Sequence, residues 1–206
     1  MKEINFNITV IRHASTEYGE EQRFMGTLDV PCSEKGKLDA KQASVHFRGK
    51  KYFRLYCSPL TRAKETCELL FPNQNPIIEP NLTERGLGEW AGKDRTTIKL
   101  LFPEAFYDSG VINPFYTPKD GETIESVIYR VKNFIDLLTD LYNALKSDSK
   151  KCAEYNIAII THNGIIRVLR SLMEDFPMSE IFNKEEPNLK SISYNFNKSK
   201  WERISN

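Results

Sequence analysis

The chain has 206 residues, a hydrophobic fraction of 40%, a charged fraction of 28% and a formal net charge of +1. That composition suits one globular domain with a sizeable core. With 29 basic and 28 acidic residues it gives no global field for nucleic acid or an anionic membrane, so affinity for an anion must come from a local basic cluster. No apolar run is long enough to span a bilayer, and the N-terminus alternates like a strand rather than a signal peptide. Cys32, Cys57, Cys67 and Cys152 lack metal-type spacing, which fits free thiols in a reducing cytoplasm.

The first predicted element is a strand, with apolar residues alternating at Ile4, Phe6, Ile8 and Val10. It ends abruptly at Arg12-His13-Ala14-Ser15-Thr16, where small and hydroxylated residues let backbone N–H groups approach an anion. Residues 17–25 have no periodicity and read as a loop. Ser33 is a predicted N-cap for a helix reaching about His46, with Leu38, Ala43 and Val45 among its buried positions. His46 reads as a surface residue. Residues 52–57 form a short strand ending at Ser58-Pro59-Leu60-Thr61-Arg62-Ala63, with Thr61 capping the next helix. Arg62 falls in that helix's first turn, the wrong sign for the helix dipole unless an anion sits beside it.

Ile77-Ile78 reads as a strand, followed by a glycine-punctuated segment through Glu84 and Glu89. From about residue 86 to 120 the pattern is irregular and rich in proline and aromatics. We read it as an inserted cap over one end of the sheet. Tyr107, Phe115 and Tyr116 within it read as packing rather than substrate stacking. A long helix follows Thr123, with Val127, Ile128, Val131, Phe134, Ile135, Leu138, Leu141, Tyr142 and Leu145 on one stripe. Residues 146–151 read as a solvated linker. Residues 156–160 are a buried strand ending in Thr161-His162-Asn163-Gly164, before a helix from Ile165 to about Glu174. Two strands, 191–197 and 201–204, close the chain around a turn at Asn197-Lys198. The expected fold is a three-layer α/β/α sandwich, a mainly parallel sheet with helices on both faces. The expected organisation is one domain over 1–206 with the cap as its insertion.

Three strand ends each deliver a basic group: Arg12-His13, Arg62 and His162. In a parallel sheet these ends share one edge, where open α/β sheets bind ligands. Arginine forks suit phosphoryl oxygens. The sequence has no HxxxH, CxxC or acidic cluster, so no metal is expected. Cationic side chains would then neutralise a transferring phosphoryl group. A neutral histidine can be the nucleophile, and neighbouring cations favour the neutral form. Glu84, Glu89 and Glu17 are the acids available to protonate a leaving alcohol.

The four segments around Arg12-His13, Ser58–Ala63, Leu82–Gly92 and Thr161–Gly164 resemble, in order, the motifs of the histidine phosphatase (phosphoglycerate mutase-like) superfamily. The stretch Arg23–Pro31 resembles its small phosphatase branch. The resemblance implies His13 as the nucleophile that becomes phosphohistidine. It implies Arg12, Arg62 and His162 as phosphoryl ligands and Glu84 as proton donor. Thr16, Arg23, Ser58 and Asn163 are assigned to substrate binding. The function implied is metal- and cofactor-independent hydrolysis of a small phosphorylated metabolite, with neither nucleic acid nor membrane as partner. The alternatives are a cofactor-dependent phosphoglycerate mutase, for which Lys93, Arg95 and Lys99 offer extra cations, and a non-catalytic phosphate binder. Two departures stand out: Ala14 where the family has glycine, and Gly19 where it often has asparagine. A homodimer is compatible with the sequence, which fixes no oligomeric state.

Overall fold

The computed structural model describes residues 4–148, 153–183, 186–197 and 200–204. The six-stranded sheet has the order β3-β2-β4-β1-β5-β6. These are β1 (Ile4–Arg12), β2 (Arg54–Cys57), β3 (Ile77–Ile78), β4 (Ala153–Thr161), β5 (Ser191–Asn197) and β6 (Lys200–Ile204). The first four run parallel; β5 and β6 are antiparallel additions beside β1. The helices are α1 (Glu17–Glu20), α2 (Glu34–Ala43), α3 (Thr61–Leu70), α4 (Arg95–Leu101), α5 (Ile124–Asp148), α6 (Asn163–Met173) and α7 (Met178–Ile181).

The alternation of side chains along a strand splits the core in two. Phe6, Ile8, Val10, Ile157 and Ile159 pack with the α5 stripe of Val127, Val131, Phe134 and Leu138 and with Ile165, Ile166 and Leu169 of α6. Ile11, Leu55, Cys57, Ala158 and Ile160 face the other way, onto Ala63, Cys67 and Leu70 of α3. Helices therefore cover both faces. Among the described residues no helix is long and apolar enough to cross a membrane.

Several local expectations need correction. Residues 17–25 contain α1, capped by Thr16, whose hydroxyl accepts from the Gly19 N–H at 3.0 Å. On α2, which ends at Ala43, the buried residues are Gly36 and Ala40; Leu38 is exposed, as is Val45 in the 3-10 turn Ser44–His46 that follows. The cause is backbone proximity: a Cβ on Gly36 would lie 2.2 Å from the Ser15 carbonyl oxygen. The helix thus docks through small residues one turn apart, and its larger side chains turn outward. Thr61 is the first residue of α3, not its cap; the cap position is Leu60, with no side-chain hydrogen bond. Asp29 serves from a distant loop, accepting from the Thr61 N–H at 2.5 Å and its hydroxyl at 2.9 Å. β2 begins at Arg54 rather than at residue 52, and β4 already begins at Ala153. The expected linker is helical as far as Asp148. Residues 149–152, which include Cys152, and the turn residues 198–199 lie outside the described residues.

Residues 86–120 are less irregular than their sequence. They hold α4, capped by Asp94, and short 3-10 turns at Gly88–Trp90 and Pro103–Ala105. Trp90, Ile98 and Ala105 form a separate hydrophobic cluster with Phe24 from the loop after β1. Trp90 stacks on Phe106 and Tyr116, with interplanar angles of 9° and 15°. Tyr116 therefore packs, as expected. Tyr107 bonds Asn113 through its hydroxyl, and Phe115 is exposed.

Candidate active site

Strand register brings the two histidines together. β1 and β4 pair in parallel with Arg12 opposite Thr161, so the next residues, His13 and His162, leave the sheet side by side. Their ring centroids are 5.0 Å apart. On the other side of β4, Cys57 pairs with Ile160, and Ser58 follows it out of the sheet. The first turn of α3 then presents Arg62 to the same edge.

His13 is buried, and its Nδ1 lies 2.6 Å from the Ala14 carbonyl oxygen. A carbonyl only accepts, so Nδ1 carries the hydrogen and Nε2 keeps its lone pair. Burial, with Arg62 and Arg12 adding to it, holds the ring's pKa well below the ordinary histidine range. A neutral imidazole with a free Nε2 is the nucleophilic form. The backbone around it is pinned: the His13 N–H donates to Thr161 O at 2.9 Å, and Asn188 Nδ2 donates to His13 O at 2.7 Å. The Ala14 N–H donates to Thr66 Oγ1 at 2.9 Å. Ala14 is not among the residues with positive φ, and it packs with Cys32 and Ala40. The turn therefore needs no glycine at this position.

Arg62 is fully buried. Its Nη1 and Nη2 donate to the carbonyls of Leu28 and Gly26 at 2.7 and 2.8 Å, and its Nε points at His162 Nδ1 at 3.3 Å. Guanidinium only donates, so His162 Nδ1 accepts and its Nε2–H donates to Ser58 Oγ at 2.7 Å. Burial, with His13 and Arg62 nearby, pushes His162 well below the histidine range too. Arg12 donates from Nη1 to Glu186 O at 2.6 Å, while its buried Nε has no hydrogen-bond partner. A buried unpaired donor on a cation is what an anion would satisfy. Burial, reinforced by Arg167, Arg95 and Arg62, lowers Arg12 to about 10 despite the opposing pull of Glu84.

Glu84 faces these groups across the mouth of the site. Its Oε1 accepts from the Arg85 N–H at 2.8 Å and its Oε2 from the Gly164 N–H at 3.1 Å, at the start of α6. A Cβ on Gly164 would lie 2.5 Å from Oε1, so this position is glycine because the carboxylate sits against it. Arg85 also lines the cavity, and its guanidinium donates to the carbonyls of Pro114, Glu122 and Tyr116, each at 2.8 Å. It ties residues 114–122 to the loop that carries Glu84.

Arg12, His13, Arg62, Glu84 and Asn163 all line one cavity of about 500 Å³, and Arg95, Lys99 and Arg167 complete its charged wall. Ser58 lies behind His162. Thr16 is buried but spends its hydroxyl on the α1 cap and on a bond to Met25 Sδ. Arg23 is not brought to the cavity: it pairs with Glu21 at 2.6 Å and bonds Gly92 O at 3.1 Å. Its backbone bridges to Asp94, which places the neighbouring Arg95 at the cavity instead. Asn163 has a buried Oδ1 without a partner. Glu89 and Glu17 do not line the cavity. Among the described residues no group of His, Cys, Asp and Glu is arranged to hold a metal ion. Sequence reasoning missed Arg167, Asn188 and Thr66. Arg167 was within reach, since it lies one helical turn beyond Asn163 on the same face.

Four in-line motifs around a parallel sheet edge with paired histidines define a phosphoryl-binding α/β fold. The chain belongs to the histidine phosphatase superfamily (branch 1), whose family model matches residues 8–205. It is 32% identical over 153 residues to the protein named fructose-2,6-bisphosphatase TIGAR from Xenopus laevis, covering 71% of this chain and 54% of that protein. It is 28% identical over 200 residues to TIGAR B from Danio rerio, covering 84% of this chain and 76% of the relative. The chain thus spans about half the length of the Xenopus relative. Among solved structures, a mycobacterial glucosyl-3-phosphoglycerate phosphatase superposes with a TM-score of 0.80 at 20% identity, over 96% of each chain. The α-ribazole phosphatase of Shigella flexneri does so with a TM-score of 0.79 at 18% identity, over 96% of this chain and 94% of that one. These two likenesses speak for the fold.

Proposed function

We propose that this protein is a metal-independent phosphomonoesterase that works through a phosphohistidine on His13. The observation that carries this reading is the locked tautomer of His13: Nδ1 is held by a backbone carbonyl, and the ring is neutral among cations. In the proposed reaction His13 Nε2 attacks phosphorus and the ester P–O bond breaks. Glu84 gives its proton to the leaving oxygen. A water then attacks the phosphohistidine, the P–N bond breaks, and Glu84 takes the water's proton back. Arg12 and Arg62 offset the phosphoryl charge, and Ser58 fixes the orientation of His162.

The substrate class is a small phosphorylated metabolite, in keeping with the cavity volume. We place the protein in the cytoplasm, a reading that three buried free thiols support. We read the chain as one domain with residues 86–120 as its cap. A phosphate-release screen over sugar, nucleotide and phosphoamino-acid esters, with and without EDTA, tests the proposal. Turnover is expected in both conditions. His13→Ala is expected to abolish it and the acid-labile phosphohistidine adduct, while circular dichroism stays unchanged. Near-normal turnover in that variant refutes the assignment.

A further inference from the structure

The peptide group that joins His13 to Ala14 is held from both sides. Its carbonyl oxygen accepts from Asn188 Nδ2 at 2.7 Å, and its N–H donates to Thr66 Oγ1 at 2.9 Å. C=O and N–H point in opposite directions across a trans peptide, so the two side chains together fix its plane. Thr66 is fully buried on α3, and its hydroxyl donates to the Arg62 carbonyl one turn back at 2.6 Å. With its hydrogen spent there, the oxygen meets Ala14 as an acceptor. The turn after β1 is thereby tied to the turn of α3 that carries Arg62.

Asn188 is aimed by the chain around it. Its neighbour Leu189 has φ +62°, a left-handed conformation that leucine adopts only where its surroundings impose it. The Leu189 N–H donates to the Arg12 carbonyl at 3.0 Å and the Arg12 N–H donates to Lys190 O at 3.3 Å, so this segment doubles back on the end of β1. The Leu189 side chain packs against the cluster of Ala14, Cys32 and Ala40. Upstream, the Glu186 carboxylate pairs with Arg170 of α6, and the Glu186 carbonyl accepts from Arg12 Nη1.

Three soft backbone torsions separate the His13 Cα from the Ala14 carbonyl that receives its Nδ1–H: ψ of His13, and φ and ψ of Ala14. The held peptide plane sets the first two. α2 confines the third, because the next peptide lies against it; a Cβ on Gly36 would come within 2.9 Å of Ser15 N. We infer that Thr66 and Asn188 are positioning residues: together they hold the His13–Ala14 peptide so that the Ala14 carbonyl keeps the ring proton on His13 Nδ1 and leaves Nε2 free. This rests on the phosphohistidine reading for the use made of Nε2. With either bond gone the peptide can turn and its neighbouring carbonyl can leave Nδ1. The proton can then sit on Nε2, where the ring cannot attack phosphorus.

The test uses the whole protein, with 15N in its three histidines, at about pH 8, above the ordinary histidine pKa. Two-bond proton–nitrogen spectra separate protonated from bare ring nitrogens. Wild type is expected to show His13 protonated on Nδ1 and His162 on Nε2, with His13→Asn assigning the first pair. Thr66→Val keeps the shape and removes the hydroxyl. It is expected to move both His13 ring nitrogens toward a mixture of tautomers while His162 holds its pattern. On p-nitrophenyl phosphate its kcat is expected to fall about tenfold or more with KM within about threefold, because Arg12 and Arg62 still face the phosphoryl group. Thr66→Ser restores the hydroxyl and is expected to recover the His13 pattern, with kcat within about threefold of wild type. Asn188→Leu removes the other bond at a half-buried position and is expected to behave as Thr66→Val does. It carries the test alone if Thr66→Val does not fold. A wild-type His13 protonated on Nε2, a wild-type pattern in either folded variant, or a Thr66→Ser enzyme as impaired as Thr66→Val overturns the inference. If wild type turns over no ester, the phosphatase reading fails, and the ring-nitrogen patterns alone decide whether the two side chains set the tautomer.

Discussion

Acidification offers a demanding test of the buried histidine pair. Both His13 and His162 are held neutral by burial among cations, with pKa values well below the ordinary 6.5. In the unfolded chain each returns to about 6.5. Below that pH the unfolded state therefore binds more protons than the native state, and stability falls as pH falls. The contribution is fully present above the unfolded value and is lost progressively from there down to the depressed native values. Between pH 7.5 and pH 5.5 a histidine that stays neutral in the native state costs about 1.4 kcal/mol, so the pair costs about 2.7 kcal/mol. For a urea m-value of about 2–3 kcal/mol/M, that moves the midpoint down by about 1 M. Urea titrations followed by tryptophan fluorescence at the two pH values measure it. His13→Asn and His162→Gln should each remove about half of the pH-dependent loss, whatever they do to stability at neutral pH. Inorganic phosphate should shrink it, because a bound dianion lets the native state take up a proton. A wild-type midpoint equal at both pH values, or a loss unchanged in both variants, would refute the reasoning.

Two substitutions probe the glycine pattern around the site. Ala14→Gly restores the residue the family usually has, yet the backbone there is not left-handed and the methyl group is packed against Cys32 and Ala40. Thermal denaturation should show about 1 kcal/mol lost, and kcat/KM should stay within about threefold. Gly164→Ala drives a Cβ to 2.5 Å from Glu84 Oε1. Its melting temperature should hold or rise, since alanine is the better helix former, while kcat falls about tenfold or more as Glu84, the proposed proton donor, is displaced.

The sheet and the two long helices could be read from sequence because period and composition determine them locally. β1, β4 and the α5 stripe are of this kind. Arg62 could also be read, as a cation in the first turn of a helix. What could not be read depends on backbones meeting. α2 turns Gly36 inward because Ser15 lies against it, and nothing within α2 records that contact. Thr61 is the local candidate for a cap, but Asp29 from another loop supplies the carboxylate. Arg23 and Arg95 are equally basic in sequence; the backbone bridge between Arg23 and Asp94 decides which one reaches the cavity. For Ala14, the doubt that a missing glycine raises is answered by the φ angle, a quantity no composition carries.

Trp90, clasped by Phe106 and Tyr116, gives residues 86–120 a nucleus shared with Phe24, apart from the two clusters that hold the sheet. One rivet between the two parts is Arg85, adjacent in sequence to Glu84, the proposed proton donor, and bonded to the carbonyls of Pro114, Glu122 and Tyr116; the backbone bonds of Phe24 with Gly92 and Lys93 are another. Selection can thus redraw the roof above the phosphorus atom residue by residue, exchanging one guest for another, while the floor keeps its histidines in register. Loss of the Arg85 guanidinium would free three carbonyls at once, whereas Glu84 would keep both its partners, because the backbone N–H groups of Arg85 and Gly164 hold it.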